Sequence, residues 1–336
     1  MTITETMMTT LPKLTRRALT AGISALLLSV SINALAQPEA FPTRPIRMIV
    51  PTAAGGNIDI LARILAEHMS KAWGQQVVVD SKPGANSMLA TTAVARSPAD
   101  GYTVLMTLSG FVQNLVLQPN PPYKVNDLVP VSQVAWFPVA LAANAKLPAT
   151  DVASVVKLAK AQPDKLSFGS YGVGSGGHII GEGLNNLAGI RIKHVGYKGE
   201  SPAFTDLVGG NIELAYGSVG FYAHQLSGGK VRLIAVASPN RLKTFPNVPT
   251  FAEAGYPEIN IPGWGGVFLP AKTPPAIVEK YTQEIRRIVA LPEVQKKILE
   301  MGFEPTGTTS AQFSDLISSD IKRWGKIVRD NNIKLE

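Results

Sequence analysis

Between an extended run ending at Phe168 and a helical run near His178 lies the segment Gly169-Ser170-Tyr171-Gly172-Val173-Gly174-Ser175-Gly176-Gly177-His178. Five of its ten residues are glycine, so side chains are not its main product. What it offers is backbone N–H groups at the positively polarised start of a helix, an arrangement that favours an anion. It also restricts the fold, because a strand running through a tight turn straight into a helix is the opening of an α/β unit.

A second turn of the same physical type lies upstream. The apolar run Pro45–Val50 is followed by Pro51-Thr52-Ala53-Ala54-Gly55-Gly56-Asn57-Ile58-Asp59. Ile58, Leu61, Ile64, Leu65 and Met69 then recur on one helical face to about Trp73. Asn57 reads as the N-cap, Asp59 as a first-turn carboxylate, and Gly74 as the C′ glycine. Strands and helices alternate on either side of a Pro138-interrupted extended run and of the Pro- and Gly-rich stretch 246–266. A helix is expected over 85–96, opened by Pro83-Gly84, and three more over 274–290, 292–301 and 310–331, the last amphipathic through Phe313, Ile317, Ile321, Trp324 and Val328.

This alternation predicts an α/β chain with mainly parallel sheets and two lobes joined by two crossings. Residues 37–142 with 264–336 are assigned to one lobe and 143–263 to the other. Ligands of open α/β sheets bind at the carboxyl ends of strands, where both glycine turns fall, one per lobe. Ser109, after the strand ending at Leu108, and Tyr216, Gly217 and Ser218, after the strand from Ile212, belong to the same edge.

Several chemistries are excluded by what accompanies the turns. Gly172-Val173-Gly174-Ser175-Gly176-Gly177 spells a dinucleotide motif, but the following strand, Ile192-Lys193-His194-Val195, lacks the ribose-binding carboxylate. Position 173 is valine, so Ser175 is not in a nucleophile elbow, and a Ser175–His178 pair has no orienting carboxylate. The four histidines have no metal-ligand spacing. No cofactor, metal or catalysis is expected. The net charge of +8 is carried by scattered lysines and arginines, which suits a small anion rather than a nucleic acid.

Lys13, Arg16 and Arg17 precede an apolar run over 18–35 that ends in Ala34-Leu35-Ala36. This reads as a signal peptide over 1–36, by the general or the twin-arginine route. There is no cysteine, so a lipid anchor at the cleavage site, a disulfide and a thiolate zinc site are all ruled out. The expected location is the periplasm, without a tether and as a monomer.

At these residues the chain resembles the Bug (Bordetella uptake gene) family of extracytoplasmic solute-binding proteins of tripartite tricarboxylate transporters. Pro51–Asp59 is similar to its first ligand loop, P-F-x-x-G-G-x-x-D, and 169–178 matches its second, G-S-x-G-x-G-S-x-x-H. Pro98–Thr103, Tyr197–Gly199 with Pro202, Asp206–Gly210, and Pro246–Thr250 with Glu253 and Gly255 fit as well.

The resemblance implies a type II periplasmic-binding-protein fold whose two lobes close on a small carboxylate held by backbone N–H groups, hydroxyls and waters. It also implies the large and small membrane subunits of the transporter as partners. Carried over by position, Thr52, Ala53, Ala54, Gly55 and Gly56, with Asn57 and Asp59, would line one side. Ser170, Tyr171, Gly174, Ser175 and His178 would line the other. Two departures stand out: Thr52 replaces the loop's aromatic residue, and Tyr216-Gly217 replaces a frequent Phe-Asp. The lost carboxylate argues against an amino-acid ligand. With Tyr171, Tyr216, Phe221 and Trp264 nearby, the expectation is a dicarboxylate or an aromatic carboxylate, terephthalate-like compounds included. A periplasmic carboxylate hydrolase and a ligand-presenting sensor subunit are the alternatives.

Overall fold

The computed structural model describes residues 41–223 and 225–333, so the expected signal peptide and His224 lie outside the described residues. The chain divides into two units at Thr43/Arg44, and of the first only 41–43 are described. The fold is that of the second unit.

Eleven strands of this unit form two sheets. β1 (Ile46–Val50), β2 (Val77–Ser81), β3 (Thr103–Leu108), β4 (Leu128–Phe137), β10 (Gly263–Pro270) and β11 (Glu304–Pro305) make the first, in the order β11-β4-β10-β3-β1-β2. β5 (Val139–Asn144), β6 (Ser167–Ser170), β7 (Lys193–Gly196), β8 (Leu214–Ser218) and β9 (Val231–Ala237) make the second, in the order β7-β6-β8-β5-β9. The helices, in chain order, are α1 (Asn57–Trp73), α2 (Met88–Ala95), α3 (Gly110–Leu117), α4 (Val152–Ala161), α5 (Gly176–Ala188), α6 (Glu200–Gly209), α7 (Val219–Ala223), α8 (Pro275–Val289), α9 (Pro292–Glu300) and α10 (Ser310–Asp330). Each sheet with its helices forms one α/β lobe.

The sheets are mixed, which corrects the expectation of mainly parallel pairing. β1 is parallel to β2 and β3, and β6 to β7 and β8. β10, however, runs antiparallel to β3 and β4, and β5 antiparallel to β8 and β9. The reason lies in the crossings. Parallel neighbours need a helix-containing return within one lobe, whereas β5 and β10 arrive from the other lobe and enter without that constraint. β4 and β5 are one extended run broken at Pro138, which has no N–H to give a ladder and whose carbonyl accepts from Val219 N. Every residue of β5 and β10 is buried, as expected of strands covered on both faces.

Close backbone approaches join the lobes. A Cβ on Gly220, in α7, would lie 2.1 Å from the Met301 carbonyl oxygen that follows α9. The same Cβ would lie 2.9 Å from Gly302 Cα, so a glycine faces a glycine where the chains pass. α10 is capped by Thr309, whose hydroxyl takes Gln312 N while Gln312 returns its side chain to Thr309 N. It buries Phe313, Ile317, Trp324 and Val328. Its Ile327 lies against Gly183 of α5, so the helix touches both lobes.

The segment expected as a helix over 85–96 is α-helical only over Met88–Ala95, with a single irregular 3-10 turn over Ala85–Ser87 before it. Ala85, Asn86 and Ser87 before it have φ of 47°, 45° and 77°, three left-handed residues in succession.

Candidate functional site

Both glycine turns leave the carboxyl ends of their strands and enter a helix, β1 into α1 and β6 into α5. They are built differently. In the first turn Gly56 N donates to Ala53 O, and Gly56 is the N-cap, not Asn57 as the sequence suggested. Asn57 is already helical. A glycine cap has no side chain, so the first amides of α1 receive no internal hydrogen-bond acceptor. Ala53, Ala54 and Gly55 are exposed, and Thr52, Gly56 and Asn57 are half-buried. Thr52 Oγ1 is buried and has no hydrogen-bond partner among the described residues.

Asp59 is 1% exposed and faces the turn from within. Its Oδ2 accepts from Gly55 N at 2.9 Å, and both oxygens take the Arg63 guanidinium, at 2.8 and 3.0 Å. The hydrogen bond from Arg63 holds its carboxyl below the usual carboxylate range, against burial, which raises it. Asp59 therefore fixes the turn and is neutralised by Arg63, leaving the helix start as the local source of positive potential.

The second turn satisfies its own amides. Ser175 is the N-cap of α5 and accepts from His178 N. The Tyr171 hydroxyl accepts from Gly177 N at 3.1 Å, and His178 Nδ1 accepts from Gly174 N at 3.1 Å. Ser170 is fully buried, and its Oγ bonds both Gly172 O and His194 Nε2. The His178 and His194 rings stack at 3.9 Å. Burial lowers His178 to about 4, and burial together with His178 lowers His194 to about 3, so both are neutral at pH 7. A neutral His178 is required, because a protonated Nδ1 could not accept from Gly174.

The remaining candidates lie on the same edge. Ser109, 5% exposed, precedes α3, and its N–H donates to Trp264 O. Ser218, at the end of β8, gives its N–H and its hydroxyl to the Glu200 carboxylate. Burial pushes that carboxyl above its ordinary range, while Ser218 pulls it down. A Cβ on Gly217 would lie 2.8 Å from the Tyr222 ring, so glycine there follows from packing.

Tyr216 is core: its ring packs edge-on to Phe168 and stacks on Phe251, beneath Gly177 of α5. Trp264 is core as well, 1% exposed, with its N–H on Asp320 and its ring against Phe313. Two of the four rings expected to wall an aromatic pocket are thus committed to packing.

Sequence reasoning missed Asn86, Gln113, His194 and Glu200. Asn86 Nδ2, in the first lobe, donates to Gly174 O of the second at 2.9 Å, and a Cβ on Gly176 would lie 3.0 Å from Gln113 Nε2. The signal for Asn86 was the Pro83-Gly84 turn with an asparagine two residues on, which was read as a helix start. Nothing in one sequence marks Gln113 or Glu200. Among the described residues no group of three His, Asp or Glu side chains could hold a metal, and no helix is long and apolar enough to cross a membrane.

Residues 61–333 match the family model described as tripartite tricarboxylate transporter family receptor. The chain is 35% identical over 321 residues to protein BugT of Bordetella pertussis, covering 95% of this chain and 98% of that one. Among solved structures it is similar to a Rhodopseudomonas palustris protein with adipate, with TM-score 0.79 and 31% identity over 88% of this chain and 99% of the other. It is also similar to MatC of Rhodopseudomonas palustris with bound malate, with TM-score 0.76 and 29% identity over 86% and 100%. These are binding proteins, not enzymes.

Proposed function

The chain belongs to the tripartite tricarboxylate transporter receptors, and on that premise we propose that it captures a small aliphatic dicarboxylate in the periplasm and hands it to the membrane subunits of such a transporter. The observation that carries the reading is the uncapped start of α1 beside the unpartnered Thr52 hydroxyl. A carboxylate there meets first-turn amides, the positive end of a helix and a hydroxyl donor, in a turn whose one carboxylate is already paired with Arg63. In this reading one carboxylate of the ligand docks on Thr52–Asn57, and the lobes close to bring the second turn, Ser170–His178, onto the rest of the molecule.

The lobe division that fits this motion follows the sheets, with the crossings at Pro138 and just before Gly263. The preference for an aliphatic ligand draws on the two relatives solved with adipate and with malate. It draws also on the burial of Tyr216 and Trp264 in the core. The N-terminal 36 residues serve as a cleaved export signal in the same reading.

The test is a thermal-shift screen with malate, adipate, succinate, terephthalate and glutamate, followed by calorimetric titration of whatever raises the melting temperature. Stabilisation by the aliphatic dicarboxylates supports the reading. Stabilisation by terephthalate alone replaces it with the aromatic one, and stabilisation by none of them refutes it.

A further inference from the structure

Among the described residues, Ala85-Asn86-Ser87 is a run of three successive non-glycine residues with positive φ. L-residues enter that region singly, and asparagine most readily, but three in succession persist only where surroundings hold them. Those surroundings are specific. Asn114 Nδ2 donates to Asn86 O at 2.7 Å, and Thr91 Oγ1 donates to Ser87 O at 2.8 Å. The turn lies directly on the first residue of α3, since a Cβ on Gly110 would be 2.8 Å from both Asn86 O and Asn86 Oδ1. All of these groups belong to the lobe of the first sheet. The Asn86 amide alone in this run leaves that lobe: Nδ2 donates to Gly174 O, in the second glycine turn, and lies 3.3 Å from Gln113 Oε1.

Glycine would make the same turn without strain but could not span the cleft. A side chain at 86 accounts for what glycine cannot supply, a hydrogen bond to the opposite lobe. Its acceptor is well chosen. Gly174 N is held by His178 Nδ1, and Ser175 caps α5, so a pull on Gly174 O is passed to the whole turn.

We propose that Asn86 is a positioning residue that latches the second glycine turn to the first lobe, so that the lobes stay closed through the Asn86–Gly174 hydrogen bond without Asn86 touching the ligand. Its use in transport rests on the carboxylate-binding reading above, but the latch itself does not. The bond exists only when the lobes are together, so it slows opening and dissociation rather than speeding association. A net hydrogen bond of ordinary strength changes the closed-to-open ratio about fivefold.

Because the chain has no cysteine, one pair of introduced cysteines reports on lobe separation without background. Ala72→Cys and Ala153→Cys place spin labels at exposed positions of α1 and α4. Pulsed electron-resonance distances are then recorded for the labelled protein and for its Asn86→Gly and Asn86→Ala versions, without ligand and with saturating malate or adipate. The closed population is expected to fall in both versions, about fivefold in closed-to-open ratio. Asn86→Gly should keep or raise the melting temperature because it relieves the left-handed residue. Dissociation of whichever dicarboxylate binds should quicken by the same factor.

The proposal is overturned if either version keeps the original distance distribution. It is equally overturned if Asn86→Gly loses stability in step with closure, since that is the mark of a merely structural residue. A protein found only open, with and without dicarboxylate, also overturns it. If the unsubstituted protein binds neither dicarboxylate, the carboxylate reading fails, while the ligand-free distances still decide the latch.

Discussion

Gly56→Asp separates the anion cradle of α1 from the stability of the fold. Gly56 has φ −71° and ψ 158°, the backbone of an ordinary N-cap, so an aspartate fits there without strain. An added Cβ would lie 3.3 Å from Ala53 O and 3.4 Å from Thr52 Cβ, a tight fit that asks the exposed turn to give by a few tenths of an ångström. In exchange, the new carboxylate caps amides that now have no acceptor. Aspartate is better than glycine at this position by a few tenths of a kcal/mol, and a carboxylate at a helix start adds about 0.3–1 kcal/mol. Those gains and the squeeze are of similar size, so the melting temperature is expected to move by no more than about 2 °C.

Binding behaves oppositely. The new carboxylate occupies the seat proposed for the ligand's own, and two unit charges about 4 Å apart at an effective dielectric of about 20 repel by about 4 kcal/mol. That is about a thousandfold loss of affinity. Calorimetric titration with the dicarboxylate found in the screen measures it, with Gly56→Ala as the control that adds the same Cβ without charge. Binding of Gly56→Asp within about threefold of the control would refute the assignment of this helix start as the anion seat.

Four further outcomes follow from the same geometry. His178 is lowered from 6.5 to about 4, so the folded state disfavours its protonation; the stability it permits is whole above pH 6.5 and is lost as pH falls toward 4. His194, lowered further still, adds to the same loss, so urea midpoints should drop by the equivalent of about 5 kcal/mol between pH 7.5 and 4.5, and His178→Asn should remove about half of this dependence. Gly220→Ala drives a methyl group to 2.1 Å from Met301 O, backbone against backbone, and should cost about 1–3 kcal/mol in chemical denaturation. Gly181→Ala meets the Phe168 ring at 2.3 Å and should cost a similar amount without altering the ratio of closed to open protein. Asp59→Asn gives up the charge that holds Gly55 N and Arg63, and should lower stability by about 1–2 kcal/mol and weaken dicarboxylate binding.

What the sequence revealed, and what it hid, divides along the range of the interactions. α1 was legible to the residue at its end, because the 3.6-residue recurrence of Ile58, Leu61, Leu65 and Met69 and the C′ glycine Gly74 are all local. Asp151 caps α4 through Ser154, a signal of the same local kind. The antiparallel entry of β5 and β10 was hidden, since nothing in the strand Gly263–Pro270 records the direction from which it arrives. Asn86 was hidden for a related reason. Pro83-Gly84 marks a turn, but Gly110 and Asn114, far along the chain, help make three left-handed residues tenable.

The two glycine turns show most plainly why composition could locate the candidate site but not apportion its work. Read as strings they are the same device: glycines between strand and helix, amides at a positive helix end. The difference lies in the residues around the glycines. At 56 the cap position itself is glycine, and the nearest acidic group, Asp59, points inward to Gly55 and Arg63, so the start of α1 remains open to an anion. At 175 the cap is serine, Tyr171 and His178 accept from amides of the turn, and the Ser170 hydroxyl donates to its Gly172 carbonyl, so the start of α5 is closed on itself. An anion therefore gains most from the first turn, where its negative charge replaces nothing. At the second it must compete with the Tyr171 hydroxyl for Gly177 N, and the rigidity of that turn is what lets a single amide from Asn86 hold it. On the proposed reading one turn receives charge and the other is carried as a unit, the division of labour that lobe closure around a small anion requires.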